Sequence, residues 1–274
     1  MREVKPDSKR KAYEALHAAL DAKGIGSLFD NMVARTFSSH LASGDRAIDA
    51  GAYHGRQVMA MAKAVGPRGS VWAFEPLEAA FTSLMGHIRK RNLSGCVEAR
   101  QVVLLDRGGE VDYYQVNEAP GRSGLVWAGS PSQVAGTFTV TEKRMPAARL
   151  DEVLNDGEPV RLIHLDLAGG ELPALNGATG LLARQRPLLI FGNSRAAAAA
   201  MHQYSPEDFC GFFDAAGYEL YNMLGFRFQV SDWKTGKQPS WYLGVPAEDE
   251  VSKGTLQGMI DDVMEQQGLS SVFD

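Results

Sequence analysis

The stretch "AIDAGAYHGRQVMAMA", residues 47–62, decides the fold. It begins as a buried strand and ends as a helix, with Asp49, Gly51 and Gly55 at the join. Glycines at such a turn let the backbone pass close to a ligand and adopt conformations that a Cβ forbids. The helix that starts near Arg56 presents free N–H groups to a carboxylate or phosphate. A dinucleotide loop wants three glycines so that the pyrophosphate can sit against the helix. The spacing here is Gly-x-x-x-Gly, with Ala52, Tyr53 and His54 between. It suits a ligand with a compact amino-acid head better, and Asp49 at the end of an apolar strand suits that head's ammonium or a water bound to it.

Outward from this join, strands and helices alternate. "GSVWAFEP", "CVEARQVVLL", "VRLIHLDLA" and "RPLLIFGN" read as strands, and "LEAAFTSLMGHIRKRN", "LPALNGATGLLARQ" and "SPEDFCGFFDAAG" as helices. Ala196 to Ala200 begin another helix. The pattern predicts a mainly parallel sheet covered on both faces. "YELYNML", "FRFQV" and "SWYLGVP" predict an antiparallel finish. Residues 107–150 break the alternation with "GEVDYYQV" and "TFTVTEKRM", a β insertion beside the site. Residues 1–44 read as an N-terminal helical cap, with helices at about 7–23 (ended by Gly24 and Gly26) and about 30–41. Residues 45–250 form the ligand-binding domain, and 251–274 a C-terminal helix.

Composition narrows the function. A net charge of −5 argues against a nucleic-acid binder. The chain's two cysteines, Cys96 and Cys210, have no metal-ligand spacing. Neither a signal peptide nor a membrane span is evident, so a cytoplasmic protein is expected.

The second strand ends in Glu75-Pro76, where a carboxylate accepts hydrogen bonds from ribose hydroxyls. Its distance from Gly51 fits the rule of about 20 residues. Val103 on the next strand is placed for an adenine edge. These pieces, with "LLDRGGEVDYY", "IHLDLAGGELPALNGATGLL" and "YSPEDFCGFFDAAGYELY", resemble the FkbM-type methyltransferases over roughly residues 45–246. The resemblance implies the class I methyltransferase (Rossmann-like) α/β fold. That is a seven-stranded sheet, mostly parallel with an antiparallel C-terminal hairpin, here with N-terminal helices added. It also implies S-adenosylmethionine as cofactor, and methylation of a hydroxyl on a small metabolite or sugar. Asp49, Gly51, Ala52, Tyr53 and Gly55 would then hold the methionine end, Glu75 and Pro76 the ribose, and Val103 the adenine. The family's strand signature Lys-Ile-Asp-Val-Glu-Gly-Ala-Glu here reads from His164 to Glu171, with His164 for lysine and Ala168 for glutamate. Asn193 stands where the family's fifth strand usually ends in glutamate.

A hydroxyl acceptor must lose its proton as its bond to the methyl forms. His164 and Asp166 are two apart on one strand and face the same way. An imidazole titrates nearer neutral pH than a carboxyl, so His164 is the expected base. Asp166 is expected to orient the acceptor, touch the methionine ammonium or bind a cation. Mg²⁺ between Asp166 and Asn193 is the less favoured variant, because two oxygens are too few for a hard cation without water and substrate. His54, Arg122, Ser123, His202 and Tyr204 are further candidates near the acceptor, and Trp127, Trp233 and Trp241 for an apolar pocket. The expected partner is a small hydroxylated molecule, with no nucleic acid or membrane, and a homo-oligomer is compatible with the sequence. The alternatives are a non-catalytic cofactor-binding descendant of the fold and, less favoured, an NAD-dependent oxidoreductase.

Overall fold

The computed structural model describes residues 1–125, 138–154 and 157–273; Trp127 lies outside them. The first helices are α1 (Pro6–Ala19) and α2 (Ala22–His40). The alternating part begins with β1 (Arg46–Ala50), α3 (Arg56–Val65), β2 (Ser70–Phe74), α4 (Glu78–Lys90) and β3 (Val97–Arg100). A small sheet of β4 (Val103–Leu104), β5 (Gly109–Val116) and β6 (Val140–Ala148) follows, then the short α5 (Leu150–Val153). The main sheet resumes with β7 (Leu162–Leu165), α6 (Glu171–Asn176), α7 (Thr179–Gln185) and β8 (Leu188–Gly192). The chain then runs through α8 (Ala196–His202), α9 (Pro206–Ala215), β9 (Tyr218–Asn222), β10 (Trp241–Pro246) and α10 (Glu250–Gln266).

The main sheet has seven strands in the order β3-β2-β1-β7-β8-β10-β9. The strands from β3 to β8 pair in parallel, and β10 runs antiparallel to both β8 and β9. The chain steps outward from β1 to β3, then returns to lay β7 on the other side of β1. The strand order therefore reverses between β1 and β7, the place where open α/β sheets bind ligands. Alternation along the strands decides which face each side chain buries. Ala47, Val71, Leu162 and Ile190 pack with Met32, Phe37, Met61 and Ile260, which come from α2, α3 and α10. Ile48, Ile163, Leu189 and Phe191 pack with Leu175, Leu182, Phe209 and Phe213 on the opposite face. Burying each such large apolar side chain contributes roughly 1.5–3 kcal/mol. The N-terminal helices share this core, since Tyr13, Leu16, Phe29 and Val33 are buried in it.

Several local expectations shift. Gly24 and Gly26 do not end the first helix but lie within α2. The break falls at Asp21, whose side chain caps α2 by accepting the Gly24 N–H at 2.7 Å. "CVEARQVVLL" divides, because β4 leaves the main sheet to pair with β6. The helix read from "LPALNGATGLLARQ" breaks at Gly177, where an added Cβ would lie 1.9 Å from the Leu105 carbonyl oxygen. "FRFQV" makes only isolated bridges, Arg2 with Phe226 and Tyr221 with Arg227. Among the described residues, no helix is long and apolar enough to cross a membrane.

Candidate active site

At the carboxyl ends of β1, β2 and β7 lies a cleft of about 400 Å³, inside the range of roughly 300–1,000 Å³ usual for small-molecule sites. The loop after β1 forms one wall. Gly51 has φ +84°, and a Cβ there would lie 2.1 Å from the Asp166 carbonyl oxygen, so this wall can approach β7 only as glycine. Tyr53 follows with φ +47°, an unusual conformation for an aromatic residue. Gly55, at φ +90°, caps α3, whose first residue Arg56 reaches the cleft.

Glu75 directly follows β2 and is 4% exposed. The Tyr53 N–H donates to its Oε2 and the Leu77 N–H to its Oε1, each at 2.8 Å. Burial pushes its pKa up to about 7; the two backbone N–H groups oppose the shift and the charge of Asp49 adds to it. The carboxylate is thus fixed in place, with lone pairs left for the cleft.

β1 and β7 pair so that Asp49 stands opposite His164. Asp49 Oδ1 lies 2.7 Å from His164 Nδ1, and both side chains are almost fully buried. Asp49 Oδ2 and His164 Nε2 have no hydrogen-bond partner. Trp241 of β10 stacks on the imidazole at 5.5 Å between centroids, and Phe37 of α2 meets it edge-on at 5.7 Å. His164 lines the cleft, whereas Asp49 sits behind it. Asp166, just past β7, opens to the cleft's solvent yet is crowded by protein. Desolvation raises its pKa, against the opposing effects of His164 and Arg56.

Of the residues expected to form the site, Gly51, Ala52, Tyr53, Glu75, Pro76, Val103, His164 and Asp166 line this single cleft. Asp49 and Gly55 lie directly behind its wall. Val103 reaches it from the small sheet, together with Tyr113. His54 also lines it, as do Pro120, Gly121 and Gly124 of the "NEAPGRSG" region and Leu125 directly after it. In that region Ser123 Oγ accepts the Val116 N–H at 2.9 Å, while Arg122 lies over the Phe138 ring. Tyr204 and Asn193 stand apart in a buried cluster with Glu171. Asn193 Nδ2 donates to Tyr204 Oη at 3.0 Å and to Glu171 Oε2 at 3.4 Å. The Leu167 and Gly169 N–H groups donate to Glu171 Oε1. Burial pushes the Glu171 pKa up to about 7 against those bonds. Glu171 braces the turn containing Ala168, at φ +51°, and Gly169, at φ +105°. His202 lies in a separate depression with Arg107 and Arg144. Trp233 is buried against Phe209 and Phe228. Sequence reasoning missed the Glu171 cluster and the part of Phe37 in the His164 slot, and Trp241, named for an apolar pocket, instead stacks on the His164 ring. The glutamate at the end of the strand-turn signature was the available signal for the first; the second has none, because Phe37 and Trp241 come from remote elements. Among the described residues, no group of three or more His, Cys, Asp or Glu is placed to hold a metal.

The Methyltransferase FkbM domain model matches residues 49–220, more than half of the chain. No curated protein matches it. A methyltransferase FkbM from Methylobacillus flagellatus is 14% identical with a TM-score of 0.48. The match covers 76% of this chain and 47% of that one, so the chain spans about half the length of that relative. A SAM-dependent O-methyltransferase from Thermotoga maritima is 13% identical over 77% of this chain and 62% of its own, with a TM-score of 0.41. Aeropyrum pernix fibrillarin, solved with natively bound S-adenosyl-L-methionine, is 12% identical over 75% and 68%, with a TM-score of 0.39. Likenesses this distant say nothing of the substrate.

Proposed function

The chain belongs to the FkbM methyltransferase family, and from that premise we propose that it methylates a hydroxyl of a small metabolite with S-adenosylmethionine as donor. The observation that carries this reading is Glu75, held by two backbone N–H groups beside a glycine turn of positive φ at the point where the strand order reverses. The residues present fit the cofactor. Glu75 would accept from the ribose hydroxyls, Val103 and Leu104 would face the adenine, and the Gly51–Tyr53 backbone would border the methionine end. When bound, S-adenosylmethionine supplies a methyl group on a positively charged sulfur, a good leaving group. The protein's part is alignment in a water-poor site, which is worth roughly 7–11 kcal/mol when two reactants are held in register. His164 Nε2, buried and without a hydrogen-bond partner in a residue that lines the cleft, takes the hydroxyl proton, and Asp166 orients the acceptor from the cleft's open side. A small hydroxylated acceptor suits the cleft's size and its mixture of apolar and charged lining.

Isothermal titration with S-adenosylmethionine tests the cofactor half of the proposal. Wild type binds and Glu75→Ala loses at least tenfold in affinity; no binding by wild type, or undiminished binding by the variant, sinks it. Turnover across a panel of hydroxylated and aminated acceptors tests the other half, and methylation of amines alone would overturn the hydroxyl assignment.

A further inference from the structure

We infer that Asp49 is a positioning residue for His164 and not a partner of the bound cofactor's ammonium group, an inference that rests on the methyl-transfer reading above. The parallel register places the two residues side by side across the β1–β7 boundary. Only one carboxylate oxygen is engaged, and it meets Nδ1 at 2.7 Å. An ionised carboxylate can only accept, so the proton of a neutral imidazole sits on Nδ1 and the lone pair on Nε2. The ring cannot swing away to exchange the roles of its nitrogens, because Trp241 stacks on its face and Phe37 closes on it at an interplanar angle of 89°. The ring borders the cleft and the carboxylate does not. Asp49 therefore reaches the reacting groups through the imidazole.

The arrangement assigns each half of the pair a task. The acceptor O–H bond breaks and its proton binds Nε2. Bound S-adenosylmethionine would supply the methyl group to that oxygen, and the electrons of its carbon–sulfur bond would stay on sulfur. The imidazolium left behind lies against the Asp49 carboxylate, then releases its proton to solvent. A carboxylate held behind the ring in this way fixes both the tautomer and the orientation of a histidine.

The test uses the full chain with ¹⁵N-labelled histidine and needs no acceptor. Long-range ¹⁵N–¹H correlation spectra at neutral pH are expected to show His164 predominantly as the Nδ1–H tautomer. In Asp49→Asn, whose amide can donate to Nδ1, the ring should shift to predominantly Nε2–H, while affinity for S-adenosylmethionine by titration calorimetry stays within about threefold. A predominantly Nε2–H or charged ring in wild type overturns the inference, and this measurement stands even if the variant does not fold. So does an Asp49→Asn chain that folds, keeps its tautomer and loses more than about 30-fold in cofactor affinity, since that result makes Asp49 an ammonium ligand. A wild type that does not bind S-adenosylmethionine at all strikes down the methyl-transfer reading and this inference with it, and is recognised by the wild-type titration alone.

Discussion

As a ribose ligand Glu75 would accept from both hydroxyls only when ionised, since a protonated carboxyl turns one oxygen into a donor, yet burial lifts its pKa to about 7 in the free protein. Each pH unit below that value removes about tenfold of the ionised form, so cofactor affinity should fall by roughly tenfold between about pH 8 and about pH 6. Titration calorimetry of wild type and Glu75→Gln checks this: the variant should bind weakly and lose the pH dependence. The same group bears on stability, together with Glu171. Both carboxyls titrate higher in the native chain than in the unfolded one, from an ordinary value of 4.5 to about 7. The native state therefore holds more protons in that interval, and stability present below pH 4.5 is lost as the pH rises through about 7. For the fully buried Glu171 the loss is on the order of 3 kcal/mol. Thermal melts should show the midpoint falling from about pH 5 to about pH 8, and Glu171→Gln should flatten that slope. Glu219 and Glu248, held down to about 2 by Lys253, Arg227 and Arg186, lose stability only below the ordinary carboxylate range.

At the scale of elements, the β1–α3 turn depends on Gly51. Gly51→Ala meets both a positive φ and the Asp166 carbonyl oxygen at 2.1 Å. A left-handed conformation costs an alanine roughly 1–2 kcal/mol and overpacking another 1–3, so a loss of about 2–5 kcal/mol is expected in chemical denaturation. Gly26 lies exposed in α2 with open space where its Cβ would be. Gly26→Ala should instead stabilise the protein by up to about 1 kcal/mol, because α2 gains helix propensity without a clash. The pattern of strand, turn and helix at residues 46–65 was legible because each piece obeys local rules. The need for glycine at the Gly177 break was not, since it comes from the Leu105 carbonyl, some seventy residues earlier in the chain.

On the scale of the whole molecule, α1 is tied to the far end of the sequence. Lys9 Nζ donates to Asp232 at 2.7 Å and to the Arg227 carbonyl, and both charged side chains are buried. Removing one partner leaves the other charge buried and unpaired, so Lys9→Ala should cost about 3–5 kcal/mol in equilibrium unfolding. Lys9→Met with Asp232→Leu should recover most of it. This tie fastens α1 to the segment that leads into β10. α2, in the same core, sets Phe37 against His164. The amphipathic N-terminal helices could be read from their residues, but their contribution to the site's floor could not.

The sequence by itself determined the alternation of elements, the glycine turn, the carboxylate that closes β2 and the histidine in β7. Each follows from local preferences or from fixed spacing along one strand. Only the tertiary structure decided that β7 lies against β1 in a register that joins Asp49 to His164, and that Trp241 and Phe37 enclose the ring. Those contacts join residues 77 to 127 positions apart in the chain and are set by how the two faces of the sheet are filled, which no local pattern encodes.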